Sequence, residues 1–177
     1  FIRQAVEGVL MQKCNFNVEL IIANDASPDK TSDIVYDIIK TNPNANRIKY
    51  INRDKNIGGQ NNFKDAFEQC KGKYIAHCEG DDYWTDPYKL QKQINFLETN
   101  PDYVLTFHKI KILQPNGILV DDFITKIPEN YQTIEALAQY GNYIHTPSIV
   151  YKNIINELPF EMMISPIGDY FLYMIIA

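Results

Sequence analysis

A chain of 177 residues is long enough for one domain with a real core, and 45% hydrophobic with 22% charged residues is a soluble globular composition that excludes disordered and fibrous classes. A net charge of −5 and a pI near 5.2 leave no dominant basic patch, which argues against nucleic acid as a partner. An anionic ligand therefore needs a bound cation or a helix N-terminus to offset the repulsion.

The chain opens at Phe1 inside a helical pattern: Phe1, Ile2, Ala5, Val6, Val9 and Leu10 recur at helical spacing. Val18–Ala23 is a short apolar run, expected as a strand buried on both faces. It ends in Asn24-Asp25-Ala26-Ser27-Pro28-Asp29, a polar turn able to cap a helix over Thr31–Lys40 whose Ile34, Val35, Ile38 and Ile39 point inward. Asn42-Pro43-Asn44 breaks that helix, and Arg47–Ile51 reads as a second strand. A glycine-bearing loop, Asn52 to Gly59, leads into a helix over Asn61–Cys70, with Gly72 placed as its C-terminal cap.

Lys73–Cys78 reads as a buried strand, followed by an acidic loop and a helix over Tyr88–Glu98 that Asn100-Pro101 stops. Tyr103–Leu113 alternates like a longer strand, and Gln114-Pro115-Asn116-Gly117 turns into Ile118–Val120. Further on, Thr133–Tyr140 is expected as a helix, Ser148–Tyr151 as a strand, and Gly168–Ala177 as a helix opening on Asp169. No signal peptide or membrane-spanning run stands out, and Phe171–Ala177 is too short to span. Cys14, Cys70 and Cys78 are odd in number and lack metal-ligand spacing, which favours a reducing compartment. Helical patterns cut at Phe1 and at Ala177 are those of a piece of a longer protein, so the whole 1–177 is expected to be one domain truncated at both ends.

Alternating strands and helices over the first hundred residues predict an α/β fold: right-handed βαβ units on a mostly parallel central sheet, with helices on both faces. Ligands of such sheets bind beyond the carboxyl ends of the strands. Two acidic turns fall there, one at Asp25 and one at Glu79-Gly80-Asp81-Asp82-Tyr83-Trp84-Thr85-Asp86. The second puts four carboxylates within eight residues. An oxygen-only donor set suits hard divalent ions such as Mg2+ or Mn2+, which keep positions open for phosphate oxygens. The plain alternative is an acidic turn, with Asp86 capping the next helix.

These segments, in this order, resemble family 2 glycosyltransferases and their GT-A nucleotide-sugar-binding fold: Val18–Asp29, Asn56-Ile57-Gly58-Gly59, Gly72–Ala76, Glu79–Trp84 and Gly168-Asp169. The resemblance implies a metal-dependent, inverting transfer of a sugar from a nucleotide-sugar donor to a hydroxyl acceptor on a glycan, a lipid-linked carrier or another molecule. Bacterial surface-glycan synthesis is the implied setting. The implied location is cytoplasmic at the inner face of the membrane, with peripheral association through segments outside this chain.

By the same resemblance Asp25, with Ser27, holds the nucleoside; Asn56 and Gly58 belong to the loop that approaches the sugar nucleotide; and Glu79 lies towards the ribose. Asp81 is the metal ligand bridging to the diphosphate, with Asp82 sharing the metal, the cofactor being a divalent cation, Mn2+ or Mg2+. Asp169 is the general base, and His145 lines the acceptor side. His77 and His108 are expected to be structural, and Tyr83, Trp84 and Asp86 to pack and cap. Relatives carry a further strand ahead of the first one seen here, ending in a turn that also contacts the nucleoside. Two other functions stay open: a sugar-phosphate nucleotidyltransferase, which wants a Gly- and Arg/Lys-rich phosphate loop that this sequence does not show, and a nucleotide-binding module without catalysis. A glycoside hydrolase fits less well, because neighbouring Asp81 and Asp82 do not straddle a scissile bond.

Overall fold

The computed structural model describes residues 1–165 and 167–177. Helix α1 (Ile2–Leu10) opens the chain, and its apolar stripe of Val6 and Leu10 packs on Ile22 of β1 (Leu20–Asn24) and on Val35 and Ile38 of α2 (Thr31–Thr41). Ile39 turns outward instead and is exposed. Strand β2 (Ile48–Asn52) pairs parallel with β1, from Leu20 opposite Ile48 to Asn24 opposite Asn52. A βα connection across α2 produces that parallel pair, as the alternating pattern requires.

Helix α3 (Gly59–Gln69) runs back to β3 (Tyr74–Ala76), and α4 (Lys89–Thr99) follows the acidic loop. The expected strand over Tyr103–Leu113 is two strands. β4 (Leu105–Thr106) joins the main sheet, while β5 (Lys111–Leu113) pairs antiparallel with β6 (Leu119–Asp121) in a separate hairpin. Helix α5 (Ile134–Tyr140) is capped by Thr133, whose side chain accepts from the Ala136 N–H. β7 (Val150–Lys152), α6 (Phe160–Ile164) and α7 (Gly168–Ile176) complete the described elements.

The expected mostly parallel central sheet is found instead as separate sheets among the described residues: β1 and β2 pair in parallel, while β7 inserts between β3 and β4, antiparallel to both, because it returns from far along the chain. Alternation along β3 and β7 puts helices on both faces. Ile75 and Tyr151 join Phe67, Leu137, Leu172 and Tyr173 on one side, while Tyr74, Ala76 and Val150 meet Val9, Trp84, Leu90 and Leu97 on the other. Gly8 lets α1 reach this second cluster: a Cβ there would lie 2.9 Å from the Trp84 backbone. Gly72 does not cap α3, which ends at Gln69 with Cys70 extended; left-handed glycine appears instead after α5, at Gly141. No described helix is long and apolar enough to cross a membrane.

Candidate active site

The turn after β1 is a closed hydrogen-bond network. Buried Asn24 donates through Nδ2 to Ser32 Oγ (2.9 Å), Asn52 Oδ1 (3.0 Å) and Tyr50 OH (3.2 Å), and its Oδ1 accepts from the Ser27 N–H (3.1 Å) and hydroxyl (2.6 Å). Both oxygens of Asp25 are engaged: Oδ1 accepts from the Ile57 N–H (2.8 Å) and Oδ2 from the Gly58 N–H (2.9 Å). Asn56 donates back to the Asp25 carbonyl (2.9 Å). Asp25, Ser27, Asn56 and Gly58 therefore belong to one assembly, in which the Asp25 carboxylate clamps the Asn56–Gly58 loop. Two backbone positions carry strain there: Ala26 has φ +56° and Gly58 has φ +89° with ψ 147°, a region that essentially only glycine occupies.

The loop after β3 is built differently. Trp84 is buried and its Nε1–H donates to the Pro147 carbonyl (2.8 Å), pinning the loop to the single turn Thr146–Ser148. Asp86 accepts from the Tyr88 N–H (2.9 Å) and from Lys92 (2.7 Å); it closes the turn ahead of α4 and is not the expected cap, since the N-cap position is Tyr88 and carries no side-chain cap hydrogen bond. Asp81 is exposed and Asp82 half-buried. Partial enclosure raises the carboxyl pKa of Glu79, with the charges of Asp82, Asp81 and Asp169 adding to the rise and the Thr146 hydroxyl tempering it. Burial likewise raises Asp82, with Asp81 adding and His145 offsetting. Lys89, the cation nearest in sequence, does not neutralise the loop. It is buried with Nζ on Gln93 Oε1 (2.8 Å) and 4.2 Å from the centre of the Trp84 ring.

Helix α7 brings Asp169 to the same place. It sits in the first helical turn, where the peptide dipoles favour a negative charge, and its Oδ2 accepts from Asn142 (2.9 Å). Glu79, Thr146 and Asp169 line one wall of a cavity of about 1050 Å3 that continues past Gln60 and Phe63 of α3. Gln60 also donates to the Ser165 carbonyl (2.9 Å), tying the start of α3 to the approach of α7. His145 is held by Asp122 (2.8 Å) and Thr125 (3.2 Å), and it is not among the residues that line this cavity. Burial works against the Asp122 charge, but hydrogen bonds from Thr125, the Ile124 N–H and His145 hold its pKa well below the usual range.

His77 is structural as expected: it meets the Tyr151 hydroxyl at 2.9 Å, and burial keeps it neutral, with a pKa near 4. Among the described residues no three His, Cys, Asp or Glu side chains converge into a ready metal cage. The donor set still suits a hard cation. Mg2+ and Mn2+ are commonly held by one or two carboxylates and completed by substrate phosphates, and the raised Glu79 and Asp82 carboxyls are ones a cation would relieve. Sequence reasoning passed over Asn24, Gln60, Asn142 and Thr146, polar residues whose partners are far away in the chain.

An α/β arrangement whose cavity runs along β1 and β3 and reaches Glu79 and Asp169 is the frame in which the comparisons with known proteins fall. The chain belongs to glycosyl transferase family 2, whose description matches residues 1–158. An uncharacterized protein of Mycobacterium tuberculosis is 37% identical over 165 residues, 92% of this chain and 47% of the relative. An Escherichia coli protein described as UDP-Glc:alpha-D-GlcNAc-diphosphoundecaprenol beta-1,3-glucosyltransferase is 37% identical over 94 residues, 53% of this chain and 35% of that protein. TarS from S. aureus, residues 1–349, shares the fold with a TM-score of 0.58 at 19% identity, covering 86% of this chain and 43% of that one. The α/β, GT-A-type architecture expected from the resemblance is thus the one found. The chain spans about half the length of the mycobacterial relative it matches. Asp169 lies beyond the residues matched to the family.

Proposed function

We propose that this chain is the donor-binding part of a metal-dependent, inverting glycosyltransferase. The observation that carries the reading is the convergence of Glu79 and Asp169 on one cavity, beside a carboxylate pair, Asp81 and Asp82, that makes no ion pair with a lysine or arginine among the described residues. Asp81 and Asp82 would hold the divalent ion, which supplies charge stabilisation to the departing nucleoside diphosphate. The clamped turn of Asp25, Ser27, Asn56 and Gly58 would shape the nucleoside end, its strained backbone held ready by hydrogen bonds already made.

In the transfer, Asp169 accepts the proton of the acceptor hydroxyl as that oxygen forms its bond to the anomeric carbon. The bond from the anomeric carbon to the diphosphate oxygen breaks on the opposite face, its electron pair leaving with the diphosphate, so the configuration inverts. Asn142 fixes one oxygen of the base at 2.9 Å. The E. coli relative, named for a lipid-linked acceptor, supports surface-glycan synthesis with a diphosphate-lipid or glycan acceptor. A cytoplasmic setting at the membrane face belongs to the same reading, supported by the lipid-linked acceptor in that relative's name and compatible with three free cysteines.

The test is calorimetric titration of UDP, GDP, dTDP and CDP with and without Mn2+, on the wild type and on Asp81→Asn. Mn2+-dependent binding of one nucleotide that is lost in the variant is the expected result. Binding that ignores both the metal and the substitution would return the acidic loop to the status of a turn.

A further inference from the structure

Helix α5 ends on Gly141, whose N–H closes the helix on the Leu137 carbonyl at 3.0 Å. The Gly141 backbone, φ +77° and ψ −165°, lies where essentially only glycine goes, and the residue it delivers, Asn142, meets α7. The Asn142 side chain is itself oriented. Its Oδ1 accepts from the Ile144 N–H at 3.2 Å, two residues on, while its Nδ2 donates to Asp169 Oδ2 at 2.9 Å. The neighbour of Asp169 ties α7 to the same helix end: the Tyr170 hydroxyl donates to the Leu137 carbonyl at 2.8 Å.

A carboxylate that has to take a proton from one direction needs such a tether. The last torsion of an aspartate side chain is broad and roughly two-fold, so an untethered carboxylate presents either oxygen over a wide arc. Asp169 has Oδ2 bonded to Asn142, and among the described residues its other oxygen, Oδ1, accepts no hydrogen bond. Asp169 lines the cavity and Asn142 does not, so the amide holds the carboxylate without itself facing that space. An amide N–H has no lone pair to receive a proton, whereas the unbonded carboxylate oxygen keeps both of its own.

On the glycosyl-transfer reading above, which makes Asp169 the base, we propose that Asn142 is its positioning residue and that Oδ1 is the oxygen that takes the acceptor's proton. The acceptor O–H bond breaks, the proton passes to Oδ1, and the electron pair left on the acceptor oxygen forms the bond to the anomeric carbon. The bond to the diphosphate breaks with its pair going to the diphosphate, and Asn142 makes and loses no covalent bond. Holding the base in place acts on turnover and not on donor binding, since a displacement of about 1 Å costs on the order of 10² in rate. The role needs a donor at a fixed place. Asparagine supplies both, while the isosteric aspartate supplies the shape alone and replaces an attraction with a repulsion.

The experiment follows release of nucleoside diphosphate from UDP-glucose, UDP-N-acetylglucosamine and GDP-mannose by the full chain with saturating Mn2+. The pH is about 8, above the usual carboxylate range. Water and N-acetylglucosaminyl-diphosphoundecaprenol serve as acceptors. The variants are Asn142→Ala, Asn142→Asp and Asn142→Gln, alone and combined with Asp169→Asn. Asn142→Ala is expected to lower kcat about tenfold, the worth of one good hydrogen bond, and Asn142→Asp about a hundredfold. The donor Kd stays within about twofold of wild type in both, because ground-state binding is untouched. Asn142→Gln keeps the amide on a longer arm and retains more turnover than Asn142→Ala. In the Asp169→Asn background the Asn142 substitutions lower kcat no further, since the two residues act as one unit. A merely structural role reverses the order: the isosteric aspartate is then the mildest change and alanine the harshest, with kcat following the melting temperature. That order, or wild-type turnover in Asn142→Asp, overturns the proposal while Asp169 stands as the base. Wild-type turnover in Asp169→Asn overturns the base assignment and the proposal together, as does a wild type that releases diphosphate from none of these donors.

Discussion

The two strand-end turns are both acidic, yet they are built on opposite principles. After β1, each polar group of Asn24 and Asp25 meets a protein partner, and a strained backbone at Ala26 and Gly58 is held in place by those bonds. After β3, the carboxylates of Glu79, Asp81 and Asp82 act on one another, and the nearest lysine is turned away under Trp84. The first turn is a finished support. The second carries electrostatic and hydrogen-bonding capacity that the protein leaves unsatisfied, and such capacity is where ligand binding has the most free energy to gain.

That contrast is sharpened most by Asp169→Asn. If the second turn is the reacting end, removing the base lowers kcat on the order of 10²–10⁴-fold, the usual contribution of a positioned general base. The donor Kd and the melting temperature should hardly move, because an amide still accepts from Asn142. A variant with near-wild-type turnover would move the base elsewhere and leave Asp169 as a helix-terminal charge.

Stability measurements then set the two turns directly against each other. Asn24→Ala strands hydroxyl and amide partners inside the closed network and should cost about 2–3 kcal/mol in urea denaturation. Asp82→Asn, measured without metal, should do the reverse. It removes a charge that Asp81 and Glu79 repel, and a gain of about 0.5 kcal/mol is the scale for a half-exposed site. Two losses of similar size would erase the distinction between support and loaded site.

Much of the first turn was legible in the sequence because its determinants are local. The Val18–Ala23 run, the polar cluster after it and the α2 periodicity all sit within one βαβ unit, and β1 and β2 pair in parallel as such a unit demands. Asp86 was readable as a turn residue, its partner N–H being two residues away, though the helix itself starts later than a cap at Asp86 requires. The antiparallel sheet was not legible, because β7 enters between β3 and β4 from far along the chain. Alternation over Tyr103–Leu113 correctly marks extended, half-buried chain, but periodicity carries no information about partners. The segment leaves the sheet after Thr106 and joins a hairpin at Lys111. For the same reason the bonds that Asp25 accepts from the Ile57 and Gly58 N–H groups, more than thirty residues on, were not visible in the sequence. Thr146 gave no signal at all: a threonine before proline is ordinary until the fold brings it to the cavity that Glu79 lines.

The smallest effect concerns the lysine that does not neutralise the acidic loop. Burial lowers the Lys89 pKa from the usual 10.5 to about 7, and the Cys78 thiol pulls modestly the other way. His77 and His108 are the other titratable groups that feel its charge. Between pH 7 and 10.5 the unfolded chain carries a proton on this lysine that the folded chain lacks, so its contribution to stability rises with pH across that window. Below pH 7 both states are protonated, and the cost of burying the charge is at its largest. Lys89→Met keeps the bulk beside Trp84 and removes the proton, so the slope of unfolding free energy against pH should be shallower than in wild type between pH 7 and 10.5. The slope is the right observable, since the loss of the bond to Gln93 shifts all pH values alike. Parallel wild-type and variant profiles would mean that Lys89 keeps its proton in the fold. A buried cation beneath the acidic loop would then soften the contrast between the two turns.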